Sequence, residues 1–239
     1  MAKITVTEKT ENANNLYYVQ TTLSEMLSQA GCELENKNVG SRTALYLRVS
    51  DKYADIVKTE VFDRLAEIIA IGYKYKFFNK NIAVKGLNDE QREILIASLI
   101  SADFTEDKRY VYGKLKQFDE IPIDGIYNFR LQPLKRKWLE IVSYMPECFI
   151  KNQLHDFIGY LIENRKNRAY VTGGRVYDSH YRRLNRTDLL GGETVKIVRE
   201  IILSDCVEVE ISGKIPDRDE YYLREFYKDK IYFSTGYFS

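Results

Sequence analysis

Apolar residues change their spacing twice along this chain. They alternate with polar residues at 3–7 and 43–49, the pattern of half-buried strands. From 56 to 73 they recur at helical spacing, and alternation returns at 170–177 and 206–211. The sequence therefore predicts an α+β fold: a small N-terminal β-α-β-β sheet, a helical middle, and a C-terminal β-hairpin with a mixed α/β end.

Glycine and capping residues set several expected boundaries. Gly31 ends a helix predicted over 11–30, and a further strand is expected within 32–39. Asp51 is an expected N-cap for a long helix that fades in the YKYKFF run at 73–78, and Asn88 or Asp89 caps the next helix. Two domains are predicted, 1–86 and 87–239, with one continuous domain as the alternative.

Prolines and a glycine pair shape the second half. Pro133 predicts that a helix starts or kinks within two residues of it. Pro146 is expected at or just before the first turn of a helix over about 147–165. Gly173-Gly174 between β-formers predicts a type I′ hairpin, because both central residues of that turn need positive φ.

Composition favours a globular cytoplasmic protein. Hydrophobic residues make up 44% and charged residues 30% of the 239. The three cysteines, Cys32, Cys148 and Cys206, form no C-x-x-C pair, so we expect reduced, mostly buried thiols. The N-terminus lacks a signal-type apolar segment, and no apolar run is long enough to span a bilayer, so no membrane partner is expected.

The charge is unevenly distributed. The whole chain carries +1, but residues 128–186 carry +7 between ends of −2 and −4. Arginines interleaved with Tyr177 and Tyr181 are typical of surfaces that bind single-stranded nucleic acid or other anions. The alternative is that the acidic ends neutralise this basic segment (128–186). The candidate binding residues are Arg130, Lys135, Arg136, Lys137, Arg165, Lys166, Arg168, Arg182 and Arg183.

Catalytic and cofactor signals are weak. His155 and His180 are the only histidines, too few for a metal-dependent His-Asp site, and no phosphate-binding glycine motif occurs. Cys148 and His155 lie about 10 Å apart on a continuous helix, beyond the reach of a catalytic pair, so Cys148 is expected in the core. We predict no catalytic residue, no metal, no cofactor and no enzymatic activity.

One pair of segments resembles a known family. Residues 123–131 (IDGIYNFRL) and 155–163 (HDFIGYLIE) resemble the YtxC family of sporulation proteins from spore-forming bacteria, with Gly125, Phe129, Arg130 and Leu131 matching the first element. The order of elements, including the hairpin at 170–177, agrees as well. The resemblance implies a cytosolic protein with no assigned reaction and carries over no catalytic residue.

Two functional hypotheses follow. The first is a non-enzymatic protein that acts through contacts with a protein partner in a sporulation-related process. The second is nucleic-acid or anion binding by residues 130–186. The sequence sets no oligomeric state. Locally, Phe129, Leu131, Leu134 and Trp138 are expected to form one apolar stripe, and Arg130 is expected to clamp the preceding turn to an acidic neighbour.

Overall fold

The computed structural model of the chain describes residues 1–234 and confirms the α+β class. The strands are β1 (Ala2–Lys9), β2 (Glu33–Val39), β3 (Arg42–Val49), β4 (Glu120–Pro122), β5 (Asn167–Thr172), β6 (Arg175–Tyr177), β7 (Cys206–Ser212) and β8 (Ile231–Ser234). The α-helices are α1 (Asn14–Thr22), α2 (Ser24–Gln29), α3 (Ala54–Glu67), α4 (Lys74–Asn81), α5 (Asp89–Ala102), α6 (Phe104–Leu115), α7 (Ile123–Arg130), α8 (Gln132–Ser143), α9 (Lys151–Glu163), α10 (Lys196–Leu203) and α11 (Asp217–Tyr227).

The chain forms two compact units, each made of two segments. The first unit contains 1–74 and 104–141, and the second contains 75–103 and 142–239. The predicted division at residue 86 falls inside the second unit, and residues 235–239 of the predicted second part lie outside the described residues.

The first unit holds a sheet with strand order β2-β3-β1-β4. Strand β1 pairs antiparallel with β3 along its whole length and parallel with the short β4. Helices α1 and α7 pack near β1, and α3 packs against α1 and α6. The buried residues of β1 and β3 include Val6, Leu45 and Leu47, so one face of this sheet contributes to the core.

The second unit holds a sheet with strand order β6-β5-β7-β8. Its buried face contains Ala169, Val171, Val209 and Ile211, and α9, α10 and α11 contact these strands. The predicted hairpin is confirmed: Gly173 and Gly174 have φ of 56° and 72°, as a type I′ turn requires.

The helix at 54–81 corrects two local predictions. Asp51 does not cap it, because residues 51–53 form a 3-10 turn and Tyr53 occupies the N-cap position. The helix also does not fade in the YKYKFF run. It passes through a π-helical segment, Ile68–Tyr73, and continues as α4 to Asn81, because Tyr73, Lys74 and Phe78 are buried and held by packing.

Further boundaries are confirmed or corrected. Asn88 caps α5 with a reciprocal capping box to Gln91, and α8 begins at Gln132, one residue before Pro133. The helix predicted from 147 begins only at Lys151, so Pro146 lies before it. The helix predicted over 11–30 breaks at Leu23 into α1 and α2.

Two of the three cysteines differ from the predicted burial. Cys206 is buried, Cys32 is partly exposed and Cys148 is exposed. Cys148 leaves the core because residues 147–149 form an irregular segment that pairs with Lys85 through backbone hydrogen bonds. Within residues 1–234, no helix is long and apolar enough to cross a membrane.

Candidate nucleic-acid interface

The open face of the second sheet carries a row of tyrosines. Register places Tyr177 opposite Tyr170, Tyr170 opposite Glu210, and Glu210 opposite Tyr232. Arg183 extends the row, because it forms a β-bridge with Tyr177. Paired residues project from the same face of a sheet, so this row crosses all four strands on the side opposite the buried valines. We call this surface the tyrosine face, defined by Arg183, Tyr177, Tyr170, Glu210 and Tyr232.

A structured loop adds a fourth ring to this surface. The Asp178 carboxylate accepts hydrogen bonds from the backbone N–H groups of His180 and Arg182, at 2.8 and 2.9 Å. Between them, Tyr181 has a φ of 58°, a conformation that costs free energy for a residue with a side chain. The Tyr181 ring stacks on Tyr170 with centroids 4.5 Å apart and remains 60% exposed. The strained backbone at Tyr181 therefore holds an exposed aromatic ring over the sheet.

Hydrogen bonding couples these two rings. A side-chain hydrogen bond with Tyr170 is the main reason that the pKa of Tyr181 lies above its ordinary value. The hydrogen bond and the ring stacking together fix Tyr181 against Tyr170.

Cations without carboxylate partners border the tyrosine face. Arg175, Arg182 and Arg183 are exposed, and none of them forms an ion pair within the described part of the chain. Arg175 and Arg183 also line a cleft of about 190 Å³ beside the hairpin. These three guanidinium groups are available to an anionic ligand.

Arg168, another predicted candidate, is already neutralised. Its guanidinium lies 2.5 Å from a Glu208 oxygen and 3.4 Å from a Glu210 oxygen, and it sits over the Tyr232 ring at 5.3 Å. This pairing limits the repulsion that the two carboxylates would otherwise exert on an anion at the tyrosine face.

Arg165 lies inside the second unit rather than on a binding surface. Its side chain is buried, pairs with Asp205 at 3.5 Å and donates to the Ser101 hydroxyl at 2.6 Å. The neighbouring Lys166 is exposed and forms no ion pair within residues 1–234. Adjacent residues thus take opposite roles, since one points into the core and the other toward solvent.

The basic residues at 135–137 in the first unit also differ in whether their charge is paired. Lys137 binds Asp107 at 2.9 Å and Glu106 at 3.5 Å, and Lys135 lies over the Tyr127 ring at 4.1 Å. Arg136 is exposed, without an ion pair among the described residues. The cluster therefore offers less free charge than its sequence suggests.

Two local predictions about the family-motif residues, Phe129 and Arg130, are wrong. Phe129 is 78% exposed rather than packed in the apolar stripe, because α7 ends at Arg130 and the chain turns before α8. Arg130 is exposed and clamps no acidic group in the described residues. The first turn of α7, where the clamp was expected, is instead held by Arg42 of β3, which forms an ion pair with Asp124. A Cβ atom at Gly125 would lie 3.4 Å from the Pro122 side chain, and Leu131 is fully buried as expected.

Buried polar groups flank the π-helical segment. Glu67 accepts a hydrogen bond from the Tyr18 hydroxyl at 3.0 Å. Lys74 lies 2.8 Å from an Asp107 oxygen, which also accepts the Trp138 indole N–H at 2.8 Å. Because these groups satisfy one another inside the unit, we interpret them as structural.

A cavity of about 280 Å³ opens beside this network. It is lined by Glu106, Asp107, Tyr110, Pro133, Leu134 and Lys137. The charged groups at its wall, Lys137, Glu106 and Asp107, pair with one another.

The metal site and the Cys148–His155 pair considered from the sequence do not assemble in residues 1–234. No three His, Cys, Asp or Glu side chains come together there as a metal site. The His155 ring nitrogen Nε2 lies 2.9 Å from the Glu225 carbonyl oxygen, to which it donates, and Cys148 is exposed. His155 is therefore engaged with the backbone of α11 and is not poised beside a thiol.

Sequence patterns alone did not point to Tyr170 and Tyr232 as parts of the candidate interface. Tyr170 alternates with buried Ala169 and Val171, which is the signal of an outward position on a strand. Tyr232 could be placed beside it only through the parallel pairing of β7 with β8, which sequence spacing does not reveal. No protein-family model, curated protein or solved structure matches the chain.

Proposed function

We propose that this chain is a non-enzymatic protein that binds single-stranded nucleic acid on the tyrosine face. The observation that carries the proposal is the stacked pair of Tyr170 and Tyr181 beside Tyr177, bordered by arginines that form no ion pair with a carboxylate of residues 1–234. Rings supply stacking surfaces for bases, and arginines supply charge for phosphates.

The dimensions of the surface fit this ligand. Neighbouring strands lie about 4.8 Å apart, so Tyr177 and Tyr232 are separated by about 14 Å across three strand intervals. Four-stranded sheets that bind RNA stack two or three bases on such rings. Because stacking depends on the face of a base and not on its edge, we expect weak sequence preference.

Tyrosine substitutions test the stacking part of the proposal. In fluorescence anisotropy with a labelled oligouridine at low salt, Tyr170→Leu and Tyr177→Leu should each weaken binding about 5- to 150-fold, since one base–ring stack contributes about 1–3 kcal/mol. Tyr160→Leu is the matched control, because Tyr160 is 66% exposed on α9 of the same unit. Equal affinities for all variants, or no binding by the wild type, would refute the proposal.

Arginine substitutions test the electrostatic part. If Arg175 and Arg183 each contact a phosphate, the double change to Gln should reduce the slope of log K against log salt by about 1.4, at about 0.7 per contact with a single strand. Arg136→Gln is the control, since Arg136 is exposed and belongs to the first unit, whereas the tyrosine face belongs to the second. A larger effect from Arg136 would instead place the binding surface on the first unit.

A second candidate function is supported by one observation in the first unit. Phe129 near the end of α7 is 78% exposed, and Leu139 on α8 is 51% exposed. Isolated apolar rings at the surface are enriched at contacts between proteins. Together with the YtxC resemblance, this favours a cytoplasmic role in sporulation through a protein partner.

Affinity capture from sporulating cells tests this second candidate. A partner identified with the wild type should be lost with Phe129→Ser and kept with Tyr17→Ser, which changes a ring of similar exposure on α1. Its direct binding must then be reproduced with the purified partner. A partner retained by Phe129→Ser would exclude this surface as the contact.

A further inference from the structure

Strand β2 is an edge strand that is open on both faces. All seven residues, Glu33–Val39, are exposed, whereas its neighbour β3 is largely buried. The strand pairs with β3 along its whole length without a bulge, and it contains no proline. An edge of this length normally carries a feature that prevents further pairing.

The lysine of β2, the residue type that most often blunts a sheet edge, is neutralised within the strand. Lys37 would oppose an added strand, but its ammonium lies 2.9 Å from the Glu35 carboxylate. Val39 and Arg42 close a two-residue hairpin loop, and such closing residues exchange both backbone hydrogen bonds. By alternation, the backbone groups of Leu34, Asn36 and Asn38 point outward and are available to another strand.

We propose that a second copy of this chain adds to this edge as an antiparallel β2, with the two-fold axis at Asn36. In this register Asn36 faces Asn36 of the partner subunit, and the outward groups of Leu34 meet those of the partner's Asn38. Glu35 then lies opposite the partner's Lys37, and Lys37 lies opposite the partner's Glu35. The intrachain ion pair becomes a ring of four alternating charges, and two four-stranded sheets join into one.

Charge selects this register among the symmetric ones. With the axis at Glu35, Glu35 faces Glu35 of the partner subunit. With the axis at Lys37, Lys37 faces the partner's Lys37. With the axis at Leu34, Glu33 faces the partner's Glu35. Like charges directly opposite each other destabilise a strand pair, whereas opposite charges stabilise it. The Asn36 register is the one that opposes Glu35 to Lys37 at both symmetric positions.

Charge reversal tests the pairing directly by sedimentation of the full chain. The wild type should shift from the 28.0 kDa monomer toward a dimer as its concentration rises. Lys37→Glu and Glu35→Lys should each be monomeric alone, because each opposes like charges. The double variant Glu35→Lys/Lys37→Glu should dimerise again, and a mixture of the two single variants should form heterodimers.

A proline variant tests whether the strand edge itself is the contact. Asn36→Pro removes an outward N–H that β3 does not use, so the unit should stay folded by circular dichroism while the dimer is lost. A wild type that is monomeric across roughly a hundredfold range of concentration would overturn the proposal. So would a dimer that survives both Asn36→Pro and the single charge reversals. This test involves no nucleic acid and is independent of the tyrosine face.

Discussion

Removing the Glu93 carboxylate should destabilise the second unit strongly. The Arg199 guanidinium on α10 is only 1% exposed, and its Nη1 atom lies 2.9 Å from a Glu93 oxygen on α5. The carbonyl oxygens of Gly191 and Gly192 accept its other hydrogen bonds, at 3.3 and 2.9 Å. Glu93 also accepts a hydrogen bond from the Tyr75 hydroxyl. The pair thus joins two helices and a loop inside one unit.

The size of the effect follows from burial. Removing one partner of a buried ion pair costs about 3–5 kcal/mol, because the remaining charge keeps its desolvation penalty. Glu93 is 19% exposed and the two glycine carbonyls remain, so we expect about 3 kcal/mol for Glu93→Ala, near the lower limit. For a chain of this length, that corresponds to a decrease of about 6–12 °C in Tm.

Glu90 provides a matched control on the same helix. It is 23% exposed, but its partner Arg218 is 74% exposed and lies 3.7 Å away. Such a pair contributes at most about 1 kcal/mol. Glu90 also accepts a hydrogen bond from the Tyr222 hydroxyl at 3.0 Å, which contributes about 1 kcal/mol. Glu90→Ala should therefore cost about 1–2 kcal/mol, less than the change at Glu93. The double variant Glu93→Leu/Arg199→Met should regain much of the lost stability, since it removes both charges.

Urea unfolding followed by far-ultraviolet circular dichroism measures these differences. The role of the buried pair is refuted if Glu93→Ala destabilises the chain no more than Glu90→Ala. It is also refuted if Glu93→Leu/Arg199→Met is as unstable as Glu93→Ala, because removing both charges would then bring no gain.

Three further changes test individual features. Burial raises the pKa of the Glu8 carboxyl above its ordinary value of 4.5. The protonated carboxyl therefore stabilises the fold most below pH 4.5, and this stabilisation is lost as pH rises through the folded-state pKa. Urea titrations should show the wild type losing stability relative to Glu8→Gln over that range. Gly86→Ala should destabilise the chain by about 1–3 kcal/mol, because φ is 89° there and a Cβ would lie 3.0 Å from the Phe149 carbonyl oxygen. Gly113→Ala in α6 should stabilise it by about 1 kcal/mol, since a Cβ there meets no atom within 4 Å. The Tm of each variant measures both effects. Asn88→Ala removes the capping box of α5 and should cost about 1 kcal/mol in thermal unfolding, with Asn88→Asp retaining most of it.

Features encoded by neighbouring residues could be predicted from the sequence. The Gly173-Gly174 turn needs two positive φ values, and the Asn88 cap needs an acceptor before a helical pattern, so both were placed correctly. Strands β1 and β3 were found because alternation with branched side chains is a local signal.

Features set by tertiary packing were predicted poorly. The sequence DRDEYYLREFY of α11 is polar overall, and its helix went unnoticed, although it buries Tyr222, Leu223, Phe226 and Tyr227 on one side. The YKYKFF run has few good helix formers, yet it is helical because Tyr73, Lys74 and Phe78 are enclosed by the fold. In both cases burial outweighs local propensity.

The candidate interface shows why charge counted along a sequence differs from charge that a ligand meets. The basic segment carries +7, but Arg165 is buried, and Arg168 and Lys137 are paired with carboxylates, whereas Arg175, Arg182 and Arg183 are not. If net charge drove binding, log K against log salt would have a slope near −5, from seven contacts at about 0.7 each. If only the three available arginines meet phosphates, the slope is about −2. A titration of the wild type between low and physiological salt separates these values, and a slope near −5 would contradict the assignment of binding to the tyrosine face.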